Sequence, residues 1–115
     1  MANQKTFRKV EHLITDIVND EGINPSLKGF YYITEAVNLL LKEKDRMGAI
    51  TKEVYGPIAD NNQTTVACVE RSIRFAIKKK MESAKNQDFK EDCVTNKVFI
   101  AKVLQKAEQQ QFLVI

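Results

Sequence analysis

Arg71 and Arg74 stand three residues apart with Glu70 beside them, a spacing that puts all three on one face if the segment is helical. A guanidinium is a planar fork that bonds a guanine edge in pairs, and a glutamate accepts from the cytosine amino group. Ala67, earlier in the segment, is short enough to let the backbone come close to bases. Phe75 beside the arginines either touches a thymine methyl or covers another helix. Lys78, Lys79 and Lys80 follow, a type suited to phosphates. Between Thr64 and Lys80 five cations meet Glu70 alone, so this stretch carries +4 and the remainder −1 of an overall +3. Such concentration is the electrostatic footprint of a protein that meets nucleic-acid backbone. A lysine cluster alone would read more simply as a solvated helix face.

Other chemistries lack their parts. With one histidine, His12, no nucleophile elbow, no glycine-rich phosphate loop and no paired-carboxylate motif, an enzyme is not expected, nor is a cofactor. Cys68 and Cys93 stand alone, and no spacing with His12 suits a metal. His12 and Cys93 read as structural residues, and unpaired thiols fit a reducing cytoplasm. The start, Met1 to Thr6, is polar, and no window reaches the roughly 18 to 20 apolar residues that span a bilayer, so neither export nor a membrane is expected. At 115 residues, with 43% hydrophobic side chains, the chain suits one folded domain.

The elements that must position these residues all have the helical period. Phe7, Val10, Leu13, Ile14, Ile17 and Val18 mark a helix from about Asn3 to Asn19, closed by Gly22 in the left-handed conformation. A second runs from about Leu27 to Arg46, with Phe30, Ile33, Ala36, Val37, Leu40 and Leu41 as its buried stripe and Gly48 as its stop. Thr51 suits the N-cap of a third, Lys52 to about Asn61, which Gly56-Pro57 should kink or split. Asn61-Asn62-Gln63 is turn chemistry, and Thr64 or Thr65 caps a fourth helix from Val66 to about Ala84. Projected at about 100° per residue from Val69, the residues Val66, Ile73, Ala76, Ile77 and Lys80 share one side, with the Lys80 stem able to snorkel. Ala67, Glu70, Arg71, Arg74, Phe75 and Lys78 take the other. Lys85 to Asp92 is polar. Thr95 or Asn96 caps a last helix, with Val98, Phe99, Ala101, Lys102, Val103 and Leu104, ending in Gln109-Gln110-Gln111. No strand pattern occurs. The expected fold is an all-α compact bundle of five to six helices in a single domain. Its short helix, turn and capped amphipathic helix make a helix-turn-helix, with Ala59 letting the two helices cross closely.

The run Gly48-Ala49-Ile50-Thr51-Lys52, then Tyr55, Ile58-Ala59, Thr64-Thr65, Val69-Glu70-Arg71-Ser72-Ile73-Arg74 and Ala76-Ile77, closely resembles the DNA-binding effector domain of the sporulation master response regulator family (stage zero sporulation protein A). Lys28 to Tyr32 with Glu35-Ala36 is similar to that family's second helix, and Asn96, Phe99-Ile100-Ala101 and Val103 to its last. The resemblance spans about Ile23 to Leu104. It implies a six-helix domain reading a short DNA box, pairing head to tail on adjacent boxes and contacting RNA polymerase. It also implies that Glu70, Arg71 and Arg74 face the groove. Two positions depart: the family has arginine where Cys68 stands and histidine where Phe75 stands, so the box read here is expected to differ. The family's receiver domain is missing, as expected of either a fragment or a stand-alone version.

The expectation is therefore a sequence-specific, double-stranded DNA-binding transcription regulator of the bacterial cytoplasm. Ala67, Cys68, Glu70, Arg71, Arg74 and Phe75 are the expected base contacts. Lys28, Thr51, Lys52, Thr65, Lys78 and Lys79 are the expected phosphate contacts. The competing reading is an interaction adaptor or antagonist that keeps the fold without reading DNA. Cys68, Phe75 and the apolar tail Phe112-Leu113-Val114-Ile115 favour it, although the tail equally suits packing on its own core.

Overall fold

The computed structural model describes residues 2–83 and 95–114, with side-chain surroundings from 10 to 83 and from 95 to 110. Helix α1 (Ala2–Asp20) buries Ile14, Ile17 and Val18, with Val10 and Leu13 packed alongside. It stops as the glycine predicts. Gly22 has φ +92°, its N–H reaches Asn19 O, and Ile23 N–H reaches Val18 O while the Ile23 side chain enters the core. That pairing satisfies carbonyls the helix end leaves open and seals it with an apolar contact.

Helix α2 (Lys28–Lys42) is the central strut, packed against α1 and both later long helices. Phe30, Ile33, Ala36, Val37 and Leu40 are buried as expected; Gly29 and Tyr32 join them and Leu41 is only partly covered. The helix does not reach Arg46. From Lys42 to Arg46 every residue is charged, so continuing it would bury nothing, and Glu43 leaves helical geometry at φ −140°, ψ 83°. A 3₁₀ segment, Lys44–Ala49, follows without a buried residue, tied down by Arg46 Nε to the Glu43 carboxylate at 2.6 Å.

A π turn, Thr51–Tyr55, leads directly into α3 (Gly56–Asn61). The expected split at Gly56-Pro57 is present. Thr51, however, is not an N-cap: the flanking Ile50 is already helical at φ −58°, ψ −40°, and no side chain caps the turn. Pro57 has no N–H for the Glu53 carbonyl four residues back, and Arg46 Nη1 donates to that oxygen instead at 2.8 Å. Val54, Tyr55, Ile58 and Ala59 are buried by these two short pieces.

Helix α4 (Val66–Ser83) is capped by Thr65, whose Oγ1 accepts the Cys68 N–H at 3.1 Å. Helix α5 (Asn96–Val114) is capped in the same way by Thr95, on the Val98 N–H at 3.2 Å. It runs past the glutamine triplet to Val114, since glutamine is a good helix former and neither glycine nor proline follows. Its buried stripe is Phe99, Ile100, Val103, Leu104 and Ala107, whereas Val98, Ala101 and Lys102 face outward. The all-α bundle is thus as expected, with no strand among the described residues. The expectations for the Phe7 side chain, Lys85 to Asp92, Cys93 and the side chains of the Phe112–Ile115 tail lie outside the described residues.

Candidate nucleic-acid interface

The outer face of α4 is built by subtraction. Val69, Ile73, Ala76 and Ile77 turn inward and Val66 is partly covered, as projected. What remains outside is Ala67, Cys68, Arg71, Arg74, Phe75, Lys78 and Lys79, with Glu70 half-buried at the edge. Gly29 sets how closely α2 supports this helix from behind: a Cβ there would overlap Ser72 O and come within 2.7 Å of the Ala76 Cβ.

Two grooves flank the ridge. One, of about 660 Å³, is bordered by Thr51, Tyr55, Glu70, Arg74, Lys78 and Asn96. The other, of about 290 Å³, is bordered by Leu27, Lys28, Gly29, Arg71, Ser72 and Phe75. The expected phosphate-binding groups are thereby split, Lys28 on one flank and Thr51 on the other, with exposed Lys52 next in the π turn and Thr65 at the helix start.

Within the ridge, Glu70 Oε1 accepts from Arg74 Nη2 at 2.8 Å, so the two side chains form one unit. Lys79 Nζ lies 5.5 Å from the Phe75 ring centre and 3.6 Å from Glu82 Oε2. Phe75 is 48% exposed and borders the groove at the start of α2 with Leu27, Lys28 and Gly29. The Thr64 hydroxyl, and after it Thr65, Arg71 and Lys28, hold the exposed Cys68 thiol below its ordinary value.

Lys80 departs from the basic face. It turns inward, 3.8 Å from the buried Glu21 carboxylate and 5.3 Å from the Phe99 ring centre. Burial pushes its ammonium below the ordinary lysine value despite Glu21. Glu21 also binds Lys106, and Lys102 at 3.2 Å. Burial alone would raise the Glu21 carboxyl, but the hydrogen bonds and charges of Lys106 and Lys102 outweigh it and hold it below the ordinary value. Sequence reasoning missed two groups beside the site. Tyr31, 57% exposed, follows Lys28 by one turn on α2. Asn96 Nδ2 donates to the Glu70 main-chain oxygen at 3.0 Å. An amide at a helix start signals a cap, and no local pattern announces a partner carbonyl 26 residues away.

An all-α bundle with an exposed helix sorted in this way has the form of the DNA-binding domain of a transcription regulator. The family model described as "Sporulation initiation factor Spo0A C terminal" matches residues 14–113, and the chain belongs to that family. It is a family of DNA-binding regulators of sporulation.

Proposed function

We propose that this chain is a sequence-specific double-stranded DNA-binding transcription regulator in which α3, the turn at 62–65 and α4 act as a helix-turn-helix. Helix α4 enters the major groove, whose width of about 12 Å admits one helix. The sorting of α4 carries this reading: Val69, Ile73, Ala76 and Ile77 are buried on one side, while Arg71, Arg74, Lys78 and Lys79 are exposed on the other. Ala67, Cys68, Glu70, Arg71, Arg74 and Phe75 meet base edges. Lys28 on one flank, Thr51 and Lys52 on the other, and Thr65, Lys78 and Lys79 along the helix meet phosphates of the two strands. Glu70 presets the Arg74 fork before DNA arrives, reducing the side-chain freedom lost on binding. Among the described residues no helix is long and apolar enough to cross a membrane. The cytoplasm is the site of action that goes with the DNA-reading role. RNA polymerase and a second copy on an adjacent box are its further partners.

The test is selection of a duplex from a random pool, followed by titration against salt. Contact with about four phosphates gives a log–log slope of roughly −3.6. A flat salt response overturns the proposal. The reading as an interaction module without DNA binding is favoured by the exposed Phe75 ring and the exposed Cys68, and predicts that flat response.

A further inference from the structure

We propose that Asn96 is a positioning residue for base reading, its amide fixing the height and rotation of α4 so that Glu70 and Arg74 meet the base edges together. This rests on the DNA-reading function above. Asn96 Nδ2 donates to Glu70 O at 3.0 Å. In a regular helix that carbonyl also accepts the backbone N–H four residues on, which is Arg74. A carbonyl oxygen has room for both donors. The side chains of the same two residues are joined outside by Glu70 Oε1 and Arg74 Nη2 at 2.8 Å. Asn96 thus grips, from α5, the peptide unit whose two neighbours do the reading.

Asn96 is free for this task because Thr95 caps α5. Behind it stands Tyr55, whose phenol is raised by burial, with the Asn96 amide beside it pulling the other way. The π turn, α4 and α5 therefore meet at one amide. The other end of α4 has its own fastening to α1 and α5 through Lys80, Glu21 and Phe99. Losing Asn96 leaves that end, and the buried stripe of α5, in place. The loosened part is the half of α4 that reads.

Asn96→Ala removes the donor, and Asn96→Leu removes it while keeping the side-chain volume and adding no charge to the groove. Tyr55→Phe is a second, packing-preserving probe of the same junction. Each is compared with wild type on a duplex selected from a random pool and on a scrambled duplex, with amide spectra of the free chains. The expected result is a five- to tenfold or greater loss on the selected duplex, about the cost of one hydrogen bond. The scrambled duplex and the salt slope stay unchanged, and amide shifts concentrate between Glu70 and Arg74. Equal loss on both duplexes, no loss on either, or shifts spread through α2 would overturn the assignment. A wild-type chain with no sequence preference would overturn the base-reading function and this assignment with it. In that case the shifts at Glu70 and Arg74 still separate a clamp that exists without DNA to read from a clamp that does not hold.

Discussion

Arg71 and Arg74 differ from Lys79 in what their removal should do. The arginines project from the exposed face early in α4, the part proposed to meet base edges, whereas Lys79 lies a turn later, over Phe75. Arg71→Ala or Arg74→Ala should lower specific affinity by about 1 to 3 kcal/mol and relax the preference at one base pair. Arg74→Ala should be the costlier of the two, because it also leaves the Glu70 carboxylate without its ion-pair partner on the proposed DNA face. Lys79→Ala should weaken selected and scrambled duplexes alike and make the salt slope shallower by about one unit. Fluorescence anisotropy on both duplexes reads all three; equal losses for the arginine variants would mean that base reading lies elsewhere. These residues were legible in the sequence because helical periodicity alone sorts α4 into two faces. Lys80 was only half legible. Its stem position follows from the projection, but the carboxylate that draws it inward, Glu21, sits just past the end of α1, and no local spacing reveals that.

Helix α4 depends on its neighbours for where it lies. Gly29 of α2 is the point of closest support, since a methyl group there has no room against Ser72 O and the Ala76 Cβ. Gly29→Ala should therefore cost about 1 to 3 kcal/mol by overpacking, with α4 pushed outward. Ile73→Ala, at a fully buried site, should cost about 2 to 5 kcal/mol by leaving a cavity. Thermal or urea unfolding measures both. A stable Gly29→Ala protein would mean that the two helices separate more easily than their packing implies. At this scale, glycine and proline made breaks legible, at Gly22 and at Gly56-Pro57. Where α2 ends was not legible. No breaker stands between Lys42 and Arg46; the helix stops there because the apolar stripe has run out and Glu43 binds Arg46 across the turn. Nor was the π turn, whose backbone depends on Arg46 satisfying Glu53 O in place of Pro57.

Across the whole molecule, Glu21 is where α1, α4 and α5 are tied together. Its carboxyl titrates lower in the folded chain than in the unfolded one, so the unfolded chain binds the proton more readily. The resulting stability is present above the ordinary glutamate range and is lost as pH falls through the lowered value. Glu21→Gln should be about 1.5 to 3 kcal/mol less stable than wild type at neutral pH. The gap should close on acidification, as urea midpoints followed from neutral pH downward would show; a gap that stayed constant would mean that the carboxylate charge is not what binds the helices. The sequence made the all-α class plain because every apolar run has one period. This junction was hidden because its members are far apart along the chain. Its burial also separates two responses to ionic strength. Arg71, Arg74, Lys78 and Lys79 stand in solvent, where counterions compete directly, while the Glu21 carboxylate and Lys80 are largely buried, where screening is weaker, with only the half-exposed Lys102 and Lys106 open to competing ions. Raising salt should therefore empty the reading face well before it loosens the fold. The domain would elute from a polyanion column in its native state, and dilution alone would return it to binding without any refolding step.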